Sequence, residues 1–137
     1  MARATNPSPT IQRVYYSDFL SNFDINPVTG NLGRTTNEES VKSSIKRLIL
    51  THVGERLYSD VGSNIGRLLF EPLDFVTIDL LKIQISETIT NHEPRAALLL
   101  VQPRISEDEH ELSVSIVFSI INKTEPITLD LLLKRVR

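Results

Sequence analysis

The spacing of apolar residues changes along this chain, and each spacing predicts a different kind of element. Between Val41 and Ile49 the apolar residues recur at helical intervals, whereas after Pro94 many of them alternate with polar residues. Recurrence every three to four residues is typical of a helix with one buried face, and alternation is typical of a strand with one buried face. Helices followed by strands predict the α+β class.

The first predicted helix covers about 37–52. Thr36 to Glu39 matches a capping box, in which Thr36 accepts a bond from the Glu39 amide and the Glu39 side chain returns one to the Thr36 amide. Gly54 is the expected stop. Before this helix, residues 14–35 are expected to be extended or to form a short hairpin, with turn residues around Asn26 to Asn31.

A short helix and a second main helix are expected to follow. The short helix should begin near residues 63–64 and end before Pro72. Segment 74–91 is rich in Ile and Thr, which favours a strand on propensity alone. Because it is long and contains no glycine or proline, its length favours a helix, capped by Asp74 and ended by Pro94.

Three apolar segments after Pro94 predict a three-stranded antiparallel meander. The first runs from Ala96 to Ile105, and the second from Leu112 to Ile120. Segments 106–111 and 122–126 are expected to be turns. The third strand alternates apolar and polar residues, and its predicted inward set is Ile127, Leu129, Leu131 and Leu133.

An edge strand of such a meander has unpaired backbone groups, which can pair with a strand from another chain. The C-terminal strand is therefore a candidate partner-binding site through the segment that contains Ile127, Leu129, Leu131 and Leu133. The alternative is that neighbouring parts of the same domain cover this edge.

Composition removes several function classes. Fifteen basic and seventeen acidic residues nearly cancel, which argues against broad binding to nucleic acid or to a membrane. The absence of cysteine excludes disulfides and thiolate metal sites. The 137 residues fit one domain over 11–137 behind a flexible polar arm over 1–10, with no secretory or membrane-spanning segment expected.

No catalytic residue, metal site or cofactor site is indicated. The three histidines lack metal-ligand spacing, and no GxSxG element is present. Carboxylates of the kind that a glycosidase needs are plentiful but form no recognisable pair, so solvated charges explain them best. The sequence thus predicts a protein that is not an enzyme.

Two charged elements remain. Gly54-Glu55-Arg56, with Gly62 after it, is explained by a helix end and a tight turn. Glu93-Pro94-Arg95 holds two opposite charges at the junction between the long helix and the sheet. One interpretation is a simple helix stop with a local ion pair, which contributes little to stability if it is exposed. The other is a polar anchor for a partner, because the planar arginine fork suits interfaces.

These elements resemble the baseplate wedge and sheath-initiator family of contractile injection machines. The likeness runs from about Phe23 to the C terminus. The stretch from Asp24 to Gly30 also resembles the phage branch and favours a phage tail, while the type VI secretion apparatus stays open as the alternative. Val61 departs from the pattern, since the family more often has an aromatic residue there. The matching elements, in order, are Thr51-His52-Val53-Gly54-Glu55-Arg56, Gly62, Leu68-Leu69-Phe70-Glu71-Pro72 and Glu93-Pro94-Arg95.

The resemblance implies an α+β structural subunit of a virion tail baseplate, assembled in the host cytoplasm. Family members bind the helical core bundle of larger wedge proteins, and they offer strands that initiate the tail sheath. Glu93, Pro94 and Arg95 are the expected bundle contacts, and tail tube or hub proteins are further possible neighbours. The expected supporting scaffold consists of Thr51, Gly54, Glu55, Arg56 and Gly62.

Two other function classes stay open at this point. A muramidase that degrades peptidoglycan is suggested by the family's older lysozyme-like label. It requires a cleft with two carboxylates, one of them with a raised pKa. A nucleic-acid binder is disfavoured by the balanced charge and the few aromatic residues.

Overall fold

The structure, a computed structural model, describes residues 13–57, 59–106, 111–121 and 123–134. The predicted α+β class is confirmed, with an N-terminal hairpin, two main helices, a short helix and a three-stranded antiparallel sheet. The arm expected over 1–10 lies outside the described residues. In chain order the elements are β1 Ser17–Phe19, β2 Arg34–Thr36, α1 Asn37–Leu50, α2 Ile65–Leu68, α3 Phe75–His92, β3 Ala96–Ile105, β4 Glu111–Ile120 and β5 Lys123–Lys134.

The N-terminal hairpin pairs β1 with β2, with Ser17 opposite Thr36 and Phe19 opposite Arg34. Its long connection is closed by the Asn26 amide, which donates to the Asn31 carbonyl at 2.7 Å. Gly30 takes a φ of 69°, a conformation that glycine adopts without steric cost. The turn expected at this position is therefore present.

The predicted capping box at the start of α1 is wrong. Thr36 is the N-cap residue, but it belongs to β2 and its side chain makes no capping bond. Glu39 instead pairs with Lys42 at 3.0 Å. Asn37 has a φ of 48°, and its side-chain oxygen accepts a bond from the Tyr15 amide at 2.8 Å, so the helix start is fixed to the preceding segment.

Helix α1 ends at Leu50 rather than at the predicted residue 52. Thr51 becomes extended, and its hydroxyl donates to the Arg47 carbonyl at 2.6 Å. Gly54 lies three residues beyond this cap, in the loop, with a φ of 85°. The stop is therefore made by Thr51, and the glycine shapes the turn that follows.

The helix predicted over 74–91 is confirmed as α3, despite its strand-like composition. Asp74 caps it by accepting a bond from the Thr77 amide at 2.8 Å. Leu81, Ile85 and Ile89 are fully buried on one face of this helix. Burial of this face outweighs the weak strand preference of the isoleucines and threonines.

The sheet has the order β3-β4-β5 and is antiparallel throughout. Its inner face packs on α1 and α3, so the fold is two-layered, and the intervening polar positions of β4 face outward and are half-exposed. The buried residues of the central strand are Leu112, Val114, Ile116, Phe118 and Ile120.

One predicted turn is shorter in the structure. Strand β5 begins at Lys123, so most of the expected 122–126 turn belongs to the strand, with an irregularity near Ser119 and Ile120. The Lys123 ammonium forms an ion pair with Glu38 of α1. This contact attaches the start of β5 to the helix layer. No helix among the described residues is long and apolar enough to cross a membrane.

Candidate interaction surfaces

Glu93 and Arg95 form a paired corner where α3 passes into β3. Arg95 Nε lies 2.6 Å from Glu93 Oε1, and Arg95 Nη2 lies 2.7 Å from Oε2. The two parallel bonds make a bidentate pair, the geometry that suits a guanidinium and a carboxylate best. The Glu93 amide also donates to the Ile89 carbonyl at 2.8 Å, so the corner continues directly from the helix.

The two charges of the corner differ in exposure. Glu93 is only 2% exposed, whereas the Arg95 side chain is 30% exposed and its guanidinium lies 5.3 Å from the centre of the Tyr16 ring. Pro94 is exposed between them. The ion pair is therefore not a fully exposed one. A buried carboxylate holds a partly exposed arginine in place.

Two opposing influences act on the pKa of Glu93. Burial raises it, because the charged form loses solvation, but hydrogen bonds from Arg95 and Ser44 and the Arg95 charge lower it. The net effect is a pKa below the ordinary value for glutamate. In turn the hydrogen bond to Glu93 raises the pKa of Arg95. Both groups are therefore charged at neutral pH.

The loop after α1 is fixed by backbone and side-chain bonds. The Thr51 carbonyl accepts a bond from the Ser63 amide at 2.8 Å, and the Ser63 hydroxyl donates to the Ile49 carbonyl at 2.6 Å. Inside the loop, the Glu55 carboxylate accepts a bond from the His52 amide at 2.9 Å. Of the five residues expected to form a scaffold, Thr51 and Glu55 thus make bonds that shape the loop, while Arg56 is exposed.

Gly62 fits this loop because a side chain has no room there. Its φ is 142°, and an added Cβ would lie 2.7 Å from the Thr51 carbonyl oxygen. Gly66 is similarly restricted, since the His52 ring occupies the space that a side chain would need. Both glycines allow the segment after Val61 to pack closely against the end of α1.

The outward backbone groups of β5 can be identified from the hydrogen bonds at the two ends of β4. The Glu111 carbonyl accepts a bond from Ser106, and the Ile121 amide donates to the Arg95 carbonyl, so odd-numbered residues at both ends of β4 bond toward β3. Backbone groups alternate between the two sides of an antiparallel strand. Even-numbered β4 residues therefore bond toward β5.

The register then assigns each residue of β5. Leu112 lies opposite Leu133, Val114 opposite Leu131 and Ile116 opposite Leu129, so the odd residues of this part of β5 bond to β4. The outward N–H and C=O groups consequently belong to Thr128, Asp130, Leu132 and Lys134. Within the ranges that the structure describes, no other group accepts a hydrogen bond from these four amides.

Both prolines of the sheet agree with this assignment. Pro103 lies opposite Val114 and Pro126 lies opposite Ser119, which places both at positions that point away from β4. A proline has no N–H and is tolerated in a sheet where the missing donor would face outward. Pro103 removes one donor from the outer edge of β3, two residues before that strand ends. By contrast, the outer edge of β5 keeps its donors from Thr128 onward.

The four residues of β5 that were predicted from the sequence as partner-binding are the ones whose side chains face the core. Ile127, Leu131 and Leu133 are buried in the chain's own core, and Leu129 is partly buried against it. Any added strand would therefore meet the outward backbone groups of the alternate residues. Pro103 and Pro126 are a sequence signal for these outward positions, and that signal identifies the residues once the strand register is known.

The described residues do not form a recognisable catalytic centre. They contain no cluster of three or more His, Asp or Glu side chains that could hold a metal ion. Glu93 is the one buried carboxylate among them, and Arg95 holds its pKa down. A glycosidase acid needs the opposite, a pKa raised toward neutrality.

Comparison with known proteins identifies the family. Residues 35–125 match the family described as baseplate wedge protein gp25. The chain belongs to this family. Its place is the baseplate of a virion tail. A relative, baseplate wedge protein gp25 of Enterobacteria phage T4, is 30% identical over 98 residues, which cover 71% of this chain and 74% of the phage protein.

Solved structures give the same fold. A proposed tail lysozyme from Geobacter sulfurreducens is 25% identical with a TM-score of 0.68, covering 73% of this chain and 92% of that protein. A chain of the anti-feeding prophage baseplate is 21% identical with a TM-score of 0.63, covering 89% of this chain and 87% of its own length. A chain of the postcontracted pyocin R2 baseplate is 18% identical with a TM-score of 0.53, covering 70% of this chain and 93% of its own length.

Proposed function

We propose that this baseplate wedge family member is a non-catalytic assembly subunit of a phage contractile tail. In this proposal the corner formed by Glu93, Pro94 and Arg95 binds the helical core bundle of the wedge. The outer edge of β5 pairs with a strand of the tail sheath protein and initiates sheath assembly. Tail tube or hub proteins are further expected neighbours.

The free backbone edge of β5 is the observation that supports this proposal most strongly. Its outward groups, from Thr128 to Lys134, are unpaired within the described part of the chain. A net contribution of about 0.5–1.5 kcal/mol is typical for each hydrogen bond, so several along one edge give useful affinity without a deep pocket. On the other side of the sheet, Pro103 makes the edge of β3 a poorer template.

The geometry of the Glu93–Arg95 corner supports a role in binding the bundle. The bidentate pair uses Nε and Nη2 of Arg95 and leaves the donors of Nη1 for an acceptor on another chain. Glu93 sets the direction of the guanidinium from inside the protein, and Pro94 exposes a rigid backbone beside it. In this interpretation Arg95 and Pro94 make the contact, and Glu93 positions them.

Sheath initiation can be tested with one proline. Leu132→Pro removes an outward donor of β5 without changing the inward ladder, while Leu132→Ala keeps the donor and shortens the same side chain. In tails assembled with the proline variant, electron microscopy should show baseplates and bare tubes. The alanine variant should give sheathed tails. Normal sheaths with the proline variant would show that the sheath starts on another surface.

The bundle contact needs a test that separates binding from folding. Removing both charges, in Glu93→Ala with Arg95→Ala, avoids leaving one of them buried and unpaired. We expect this double variant to fold but to be poorly retained in a pull-down with the wedge bundle proteins. Retention equal to that of the unmodified chain would argue against a contact at this corner.

A further inference from the structure

An open groove of about 430 Å³ lies beside β5 on its helix side. Leu20 and Leu129 provide its apolar surface, and Leu129 belongs to the edge strand itself. The remaining lining residues come from the N-terminal hairpin and from α1, and the charged ones are Glu39, Lys42 and Lys46.

A strand added to β5 would place side chains over this groove. Neighbouring strands lie about 4.8 Å apart, and successive side chains point to opposite faces of a sheet. Leu129 points toward the helix layer, so the partner residue beside it would point the same way, into the groove. The groove is therefore positioned to contact alternate side chains of a strand that the backbone of β5 binds.

The charges along the groove favour an acidic partner. Glu39 and Lys42 form an ion pair with a separation of 3.0 Å, which leaves little net charge from these two residues. Arg47, the residue after Lys46, pairs with Asp18 at 2.6 Å. Lys46 is exposed, and no acidic group in the described ranges pairs with it. The groove thus presents one unneutralised positive charge beside an apolar surface.

We infer that this groove selects the partner strand by its side chains. The preferred occupant is an extended segment of the sheath protein with an apolar residue beside Leu129 and an acidic residue within reach of Lys46. This inference rests on the proposed function, because it assumes that a strand binds β5. The backbone edge supplies affinity for an extended chain, and the groove supplies the choice of sequence and register.

Peptide binding can test the selection directly. Overlapping synthetic peptides that tile the tail sheath subunit encoded with this chain would be titrated against the full-length protein by fluorescence anisotropy. We expect the tightest peptide to alternate apolar residues on one face and to contain an acidic residue. Lys46→Glu should weaken its binding by about three- to tenfold at low salt, since the change replaces an attraction by a repulsion.

Two controls separate charge selection from general damage. Lys82→Glu reverses a half-exposed lysine on α3 that pairs with Asp79 at 3.4 Å, away from the groove, and should leave peptide binding unchanged. A peptide whose acidic residue is replaced by lysine should bind Lys46→Glu with recovered affinity. The difference in peptide affinity between the unmodified protein and Lys46→Glu should shrink as the salt concentration rises. Recovery by the exchanged charges is a result that a merely structural role of Lys46 would not produce.

The outcomes distinguish the inference from the proposed function beneath it. Binding that is lost with Leu132→Pro but unchanged by Lys46→Glu would overturn groove selection and leave strand addition standing. If no sheath peptide binds the unmodified protein, both the strand addition and the groove selection are wrong. Loss with Leu132→Pro, together with weakening and charge-exchange recovery at Lys46, would support both.

Discussion

Removing Arg95 should destabilise the fold in a way that depends on pH. The Glu93 carboxylate is 2% exposed and has Arg95 and Ser44 as its stabilising partners. Arg95→Ala would leave this charge buried with the Ser44 bond alone. Breaking a fully buried ion pair costs about 3–5 kcal/mol, and the 30% exposure of the Arg95 side chain reduces the expected loss to roughly 2–4 kcal/mol at neutral pH.

The pH dependence of this loss has a definite sign. In the unmodified chain the pKa of Glu93 is lowered, so its contribution to stability is present above the ordinary value of 4.5 and is lost as pH falls through the folded-state pKa. Without Arg95, burial is expected to raise the pKa, so protonation on acidification relieves the unpaired charge. The difference in unfolding free energy between the two proteins should therefore narrow as pH falls toward 4.5 and below.

Urea unfolding followed by circular dichroism at a series of pH values would measure this difference. Glu93→Ala combined with Arg95→Ala serves as the control, because it removes both charges and should cost less than Arg95→Ala alone. A loss below about 0.5 kcal/mol for Arg95→Ala, the same at every pH, is the size expected for an exposed pair. That result would refute the buried, positioning role assigned to Glu93.

Three further predictions follow from other parts of the molecule. Gly62→Ala should lower the free energy of unfolding by at least about 2 kcal/mol, because a Cβ there meets the Thr51 carbonyl at a strained φ. Gly30→Ala has open space around it and should lower it by about 1 kcal/mol. Urea unfolding of both variants would check this. Asp74→Ala should lower the Tm at neutral pH through loss of the α3 cap. Because the bond to Thr77 lowers the pKa of Asp74, the difference in Tm from the unmodified chain should shrink below pH 3.8. Equal Tm values at neutral pH would contradict the cap. The purified protein should not clear cell-wall suspensions, with hen lysozyme as the positive control; clearing that a single carboxylate substitution abolished would establish the muramidase alternative.

Much of the fold was predictable because local signals and burial agree. The alternation along β4 matches its inner and outer faces, and the helical spacing of Leu81, Ile85 and Ile89 in α3 prevails over the strand preference of its residue types. Predictions failed at element ends, where a distant partner decides the outcome. The bond between Asn37 and the Tyr15 amide determines how α1 begins, and no pattern near Thr36 contains that information.

The candidate surfaces were predictable in part for the same reason. Order along the chain identifies Glu93 and Arg95 as neighbours, but whether their pair is exposed depends on α1, through Ser44, and on Tyr16. Which residues of β5 point their backbone groups outward depends on hydrogen bonds made at the ends of β4. Pro103 and Pro126 both lie at outward-pointing positions, so the sequence does contain this information. It can be used only once the strand register is known.

Amide hydrogen exchange along β5 is a direct measurement of whether a sheath strand pairs with this edge. In the isolated chain, the amides of Thr128, Asp130 and Leu132 should exchange quickly, while those of Leu129 and Leu131 are protected by β4. On assembly into baseplates with the sheath protein, the three outward amides should become protected, and baseplates assembled without sheath should leave them fast. Outward amides that still exchange quickly in sheathed tails would contradict strand addition at this edge.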